Sequence, residues 1–337
     1  MEPIRNFDQL TSHLKTLNKR KRIAVVCAND PNTEYAIARA LDEGIAEFLM
    51  IGDSAILEKY PTLKKYPEYV QTLHIEDKDE AAREAVRIVR EGGAQPLLIG
   101  NGTNLLVTDG EVHRIVVQMG ERMADVTRAD ETHLCAGAGI PLARLAQAAL
   151  GYGLAGLEFA HGIPGSLGGA VSMNAGAYGG EMKDVVVSTR YLDRELNLRE
   201  AVGAEHAFGY RHSVFSDTDC VVLGSTLALT PDDPAAIQAR MRDLSERRRS
   251  RQPLELPSAG STFKRPVGGY AAALIDQAGL KGCAVGGAQV SEKHAGFVVN
   301  RGGATFDDVL RLMDHIRSEV LRTSGVELEP EVKIIRG

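Results

Sequence analysis

Ten of the chain's 35 glycines fall between Gly151 and Gly180. A cluster that dense has two physical readings: backbone packed closely against something that leaves no room for a Cβ, or a run of turns needing positive φ. Both readings require a rigid scaffold on either side of the segment.

That scaffold is legible as alternating patterns. Upstream, 22–28, 47–53 and 70–76 are β-branched apolar runs. The stretch 33–45 has apolar residues at helical spacing, and 77–93 has an acidic start, a basic end and a Gly stop. A further strand is expected at 95–100. This βαβ texture predicts parallel strands. Short strands are expected next, at 112–119 and 132–139, then a helix over 141–153 with Pro141 at its first position. Beyond the glycines, strands are expected at 185–193, 220–229 and 295–300, and helices at 234–251, 270–279 and 306–325.

Composition narrows the class. The chain has 337 residues, enough for two or three domains; 44% are hydrophobic and 25% charged, the balance of a globular protein with a full core. With no Trp and 5% aromatics, that core must be mostly Leu, Ile, Val and Ala. The net charge of −6 implies no basic face for nucleic acid. Cys27, Cys135, Cys220 and Cys283 are far apart, and none forms a CxxC pair, so neither a zinc site nor a disulfide framework is expected. The first residues hold no apolar signal-peptide core, and no run of about 18 apolar residues could span a membrane.

Six segments carry candidate chemistry. Gly100, Asn101, Gly102, Thr103 and Asn104 form a strand-to-turn junction whose small residues let backbone N–H groups approach a phosphate, although an ordinary tight turn would look the same. Gly162, Ile163, Pro164, Gly165, Ser166, Gly168 and Gly169 make a loop able to wrap a pyrophosphate, and Asn174, Gly176 and Ala177 are small enough to admit a flat ring. His161, alone beside glycines, reads as a hydrogen-bonded group rather than a catalyst. Tyr210 and Arg211 sit in FGYRHSVF, where an Arg among apolar neighbours is either paired structurally or aimed at an anion. Ser261, bounded by Pro and Gly and close to Lys264 and Arg265, suits a polar group at a reaction centre. Ser291, Lys293 and His294 offer polar contacts, and Glu331 precedes a terminal apolar strand. Taken singly, each of these also fits a bland surface role.

In order and spacing, GIPGSLGGAVSMNAGAYGGE, YRHSVF, SAGSTFKRP, GGAQVSEKHAGFVVN and LEPEVKIIRG resemble the UDP-N-acetylenolpyruvoylglucosamine reductase family, in its compact second type, over about 95–337. The resemblance implies a cytoplasmic enzyme of peptidoglycan synthesis with FAD and NADPH as cofactors, a UDP-sugar enolpyruvyl ether as substrate, and no metal. It also implies roles: Arg211 and Glu331 stabilise an enol-like intermediate, Ser261 delivers a proton with help from Lys264, and Tyr210, Lys264, Arg265, Ser291, Lys293 and His294 contact the sugar nucleotide. The implied fold is α/β with α+β parts. A βαβ unit (1–94) precedes a two-part FAD-binding domain of the PCMH type (95–229) and an α+β substrate domain (230–322). A C-terminal strand (323–337) returns to the flavin domain and brings Glu331 to the site.

Residues 1–94 lack the family's usual Thr-Ser-Phe-Arg and Gly-Gly element and instead resemble the start of phosphate acetyl- or butyryltransferases. The strand–helix–strand pattern of 70–106 is expected to complete the first flavin subdomain. Two other functions stay open at this point: an acyl-phosphate transferase or its remnant, resting on the first 94 residues, and a flavin oxidoreductase of the same fold with another substrate.

Overall fold

The structure, a computed structural model, describes residues 21–26, 31–52, 55–110, 112 and 114–336, so Cys27 lies outside the described residues. Two compact units partition the chain. The first runs up to Asn101 and resumes over Arg114–Gln238; the second comprises Gly102–His113 and Ala239–Gly337.

The first unit opens with β1 (Lys21–Val26), α1 (Pro31–Asp42), β2 (Ala46–Gly52) and β3 (Val70–His74), the three strands forming a parallel sheet in the order β1-β2-β3. The expected βαβ unit is therefore present. Because side chains alternate along a strand, β2 sorts its apolar residues by face. Phe48 and Met50 join Ile37, Leu41, Tyr60 and Leu63 in one core, while Leu49 and Ile51 meet the next helix.

That helix, α2 (Lys78–Glu91), starts at Asp77, whose carboxylate accepts from the Glu80 N–H at 2.8 Å. One face carries Ala81 and Ala85 against Ile51 and Leu73. The other carries Ala82, Val86 and Val89 against Val117, Met119, Met123, Leu192 and Leu223. Burying each of those valines contributes about 1.5–3 kcal/mol. After α2, β4 (Leu97–Ile99) pairs in parallel with β5 (Val116–Gln118) and not with β3. The 70–106 unit thus begins in one sheet and ends in another. Its link to the flavin subdomain is made by the two apolar faces of α2, not by a shared strand ladder as expected.

An antiparallel sheet in the order β11-β10-β12-β7-β6 forms the body of the unit: β6 (Val126–Arg128), β7 (His133–Gly137), β10 (Val186–Leu192), β11 (Leu198–Val202) and the buried central β12 (Val221–Ala228). Between β7 and β10 lie α3 (Leu142–Gly151), α4 (Leu167–Ser172) and a tiny hairpin, β8 (Gly176–Ala177) with β9 (Gly180–Glu181). Pro141 is extended (φ −60°, ψ 135°) and caps α3, so it precedes the helix and does not occupy its first position.

From the first unit α5 (Pro234–Arg251) runs into the second. There β13 (Ser258–Ser261), β14 (Ala284–Val285), β15 (Ala288–Val290) and β16 (Phe297–Asn300) form an antiparallel sheet in the order β13-β16-β15-β14. It is covered by α6 (Ala271–Gln277) and α7 (Phe306–Ser324) over a core of Phe263, Ile275, Val290, Leu312, Ile316 and Val320. The strand Lys333–Ile335 pairs in parallel with Leu105–Val107, and both belong to this unit. Among the described residues no helix is long and apolar enough to cross a membrane.

Candidate functional site

The glycine-rich loop of the first unit is laced onto the segment that follows β7. Leu142 N–H donates to the Gly165 carbonyl (2.9 Å), Leu167 N–H to Ile140 (2.9 Å) and Gly168 N–H to Ala138 (2.8 Å). Only small residues permit this approach: a Cβ on Gly168 would stand 2.9 Å from the Ala138 Cβ. The same loop meets the end of β4, where a Cβ on Gly100 would stand 2.0 Å from Ser166 Oγ. The fold therefore brings Gly100, with Asn101 next along the chain, to the 162–169 loop. Gly162, Ile163 and Pro164 enter that loop from a short 3-10 turn, and Gly169 is exposed on α4.

Ser166 supplies the test of fit. Its hydroxyl is buried and has no hydrogen-bond partner among the described residues. A buried hydroxyl without a partner is costly to the fold. Lodged between glycines that exclude side chains, it suits a polar ligand group such as a phosphate oxygen, and these residues fit the cofactor expected of the loop.

Asn174, expected with Gly176 and Ala177 to admit a flat ring, turns its side chain into the protein. It is fully buried at φ 44°, and its Nδ2 donates to Glu181 Oε2 (2.6 Å) and to the Gly209 carbonyl (2.9 Å). Its Oδ1 accepts from the Lys183 N–H (2.9 Å). Every polar atom of the side chain is spent on the protein. Gly176 and Ala177 follow in the β8–β9 hairpin, where a Cβ on Gly176 would meet the Gly180 carbonyl at 2.7 Å.

Tyr210 and Arg211 form the two-residue tip of a turn closed by mutual hydrogen bonds of Gly209 and His212. Arg211 has φ 53°, lies 5.0 Å over the Tyr210 ring and donates from Nη2 to the Gly176 carbonyl (3.2 Å). Below the tip, the hydroxyls of Ser213 and Ser216 both donate to the Ser172 carbonyl, tying the loop to the end of α4. These two serines escaped the sequence reading. Their Ser-x-x-Ser spacing, common in hydroxyl-capped turns, was the available signal. His161 meets Gln147 at 3.1 Å on the surface.

In the second unit a short ladder gathers several candidates. Glu331 N–H donates to the Thr262 carbonyl (2.9 Å) and Lys264 N–H to Glu329 (2.8 Å). Glu331 is thus paired with Thr262, the chain neighbour of Ser261. Asn104 Nδ2 donates to the Glu331 carbonyl (3.1 Å), and Lys333 N–H donates to Asn104, so the 102–104 turn holds the glutamate's backbone. Gly102 makes that turn at φ 66°, and Thr103 is exposed. Ser261 Oγ is exposed and has no hydrogen-bond partner among the described residues. Lys264, expected to assist it, has its ammonium paired with Glu329 instead, because the ladder places those two side by side. Arg265 stacks over Tyr270 at 4.4 Å.

Ser291 and His294 shape a turn. Ser291 Oγ accepts from the N–H groups of Lys293 (3.2 Å) and His294 (3.3 Å), and His294 Nδ1 accepts from Gly296 (3.1 Å). Since the Gly296 carbonyl accepts from Thr262 N–H, His294 stands close to the Ser261 rung. Burial, with a smaller push from the charge of Lys281, holds its imidazole below the usual pKa. Lys293 donates to the Arg249 carbonyl at the end of α5 (2.8 Å) and pairs with Glu255.

Comparison with known proteins agrees with this division. A family model described as "FAD binding domain" matches residues 75–196, and "UDP-N-acetylenolpyruvoylglucosamine reductase, C-terminal domain" matches 252–335. The first match starts ahead of the boundary expected near residue 94 and takes in α2. The UDP-N-acetylenolpyruvoylglucosamine reductase of Levilactobacillus brevis is 52% identical over 238 residues, 71% of this chain and 78% of that protein. Its counterpart in Caldanaerobacter subterraneus subsp. tengcongensis is 47% identical over the same shares. The crystal structure of the enzyme from Thermus caldophilus superposes with a TM-score of 0.64 at 34% identity, covering 77% of this chain and 90% of that one.

Proposed function

The chain belongs to the UDP-N-acetylenolpyruvoylglucosamine reductase family, and from that premise we propose that it reduces the enolpyruvyl ether of UDP-N-acetylglucosamine to UDP-N-acetylmuramate for peptidoglycan synthesis in the cytoplasm. NADPH is the proposed electron source. FAD, when bound, supplies the hydride that adds to the β-carbon of the enol ether.

In this reading the Gly100–Asn104 turn, the 162–169 loop and the Gly176–Ala177 strand hold the flavin, with Ser166 Oγ offered to its polar backbone. Charge then develops on the carboxylate side of the substrate, and a fixed cation is what such charge needs. Arg211 meets that requirement: the Tyr210 ring and the Gly176 carbonyl set its direction before substrate arrives. Ser261 delivers a proton to the α-carbon from its hydroxyl, and Glu331 is fixed beside it through the Thr262 rung. That rung is the observation that carries the assignment, because it holds Glu331 against the chain neighbour of Ser261, distant in sequence, without help from any ligand. Lys264, Arg265, Ser291, Lys293 and His294 are the proposed contacts of the sugar nucleotide, with Tyr210 beside Arg211. The proposed division of labour is a flavin domain over 95–229, a substrate domain over 230–322 and a terminal segment, 323–337, that presents Glu331.

The parallel sheet of the first lobe is the observation behind the acyl-phosphate transferase alternative, which requires coenzyme A-dependent phosphorolysis. A flavin oxidoreductase with another substrate would not need the C-terminal domain match over 252–335.

The visible spectrum of the purified protein tests the reading. Flavin bands should bleach with NADPH and recover when the enolpyruvyl sugar nucleotide is added without oxygen. A protein that takes up no FAD would overturn it. In the Ser261→Ala variant, bleaching by NADPH should stay nearly intact while recovery with sugar nucleotide is blocked. Equal loss of both steps would remove the role given to Ser261.

A further inference from the structure

Arg211 stands on a strained backbone. A non-glycine residue at φ 53° persists only where its surroundings over-determine it. One support is Arg211's own bond to the Gly176 carbonyl. The other is the Gly209 carbonyl at the root of the tip, gripped by Asn174 Nδ2 at 2.9 Å. Asn174 is in turn aligned by Glu181, whose carboxylate takes its second N–H at 2.6 Å and also pairs with Lys183. The amide is buried, at φ 44°, two residues before the carbonyl that Arg211 holds. The turn root and the guanidinium are therefore both referenced to one short segment, 174–176.

We propose that Asn174 is a positioning residue of the reductase reaction: by holding Gly209 it sets the tip that aims Arg211, with Glu181 fixing the amide. The proposal rests on the catalytic role given to Arg211 above. It assigns Asn174 to the substrate step, not to contact with the cofactor ring.

Glycine accepts φ 44° without strain, so Asn174→Gly removes the amide and spares the backbone. The two half-reactions are followed by stopped flow in Asn174→Gly, in Arg211→Lys and in the double variant. Asn174→Gly should slow recovery with the sugar nucleotide roughly tenfold or more, as a misplaced catalytic group does, and leave NADPH bleaching within about twofold. The double variant should recover no more slowly than Arg211→Lys alone, because Asn174 acts through that arginine. Hydrogen exchange of the protein without substrate supplies a readout independent of turnover: Asn174→Gly should speed exchange at the 209–212 amides and not across the sheet.

Multiplicative effects in the double variant, equal slowing of both half-reactions, or unchanged exchange at the tip would each overturn the inference and leave the role of Arg211 standing. If Arg211→Lys alone recovers at the normal rate, the reading of Arg211 fails first and the inference with it. Should Asn174→Gly not fold, Glu181→Ala on a partly exposed side chain loosens the same amide. It should then show a smaller defect, roughly twofold or more, again confined to the sugar-nucleotide step.

Discussion

Single polar atoms decide most of the local chemistry. Ser166 Oγ is buried without a partner, which opposes folding, yet it lies among glycines that admit no side chain. Ser166→Ala should therefore leave the flavin-free protein as stable as before, or up to about 1 kcal/mol more stable, while FAD affinity falls about tenfold. Urea melts without FAD and a fluorescence titration with it would check both, and a less stable flavin-free variant would assign the hydroxyl to the fold. His294 makes a second prediction. Its folded pKa lies below the ordinary value of 6.5, so the unfolded chain takes up the proton first as pH falls. The contribution to stability is fully present above 6.5 and declines below it, down to the folded value. His294→Asn, which can still accept from Gly296, should flatten the change in urea midpoint between about pH 7.5 and 5.5. A slope identical to that of the parent would refute this. Sequence motifs pointed to both residues, but the orphaned state of one hydroxyl and the burial of one imidazole arise only from neighbours distant in the chain.

At the scale of elements, helix α2 is the most informative. Its acidic start and basic end were legible, and the structure closes it with Asp77 at one end and Gly92 at the other. That it carries two apolar faces was not. Ala81 and Ala85 look like ordinary helix formers in sequence, whereas their small size lets Ile51 and Leu73 close on the helix. Ala85→Leu should destabilise the protein by about 1–3 kcal/mol through overpacking. A urea midpoint equal to the parent's would mean that this face is open. Among the elements missed in sequence were short ones: β6, the β8–β9 hairpin, β13, the β14–β15 hairpin and Leu105–Val107. Runs of two to four residues show no periodicity to read, since long-range partners and not local propensity create them.

At the scale of the whole molecule, the flavin-domain match begins only at residue 75, which leaves the first lobe outside it. A chain starting there would uncover Ala81, Ala85 and Ile88 on α2. It should melt several degrees lower, since roughly 2–4 °C accompanies each kcal/mol in a domain of this size, and still take up FAD that bleaches with NADPH. Loss of flavin without a drop in melting temperature would place cofactor-binding groups in the lobe itself. By itself the sequence determined the alternation of strands and helices, the glycine-rich loop and the family, because apolar period and small-residue spacing are properties of a linear string. Only the tertiary structure decided that Glu331 pairs with Thr262, the chain neighbour of Ser261, that Lys264 answers to Glu329, and that Asn174 serves the Arg211 turn. Those pairings depend on which N–H reaches which carbonyl: a backbone N–H across 65 residues or more in the first two cases, and the Asn174 side-chain amide across 35 in the last. Such contacts are selected by packing of the assembled core, which no local pattern encodes.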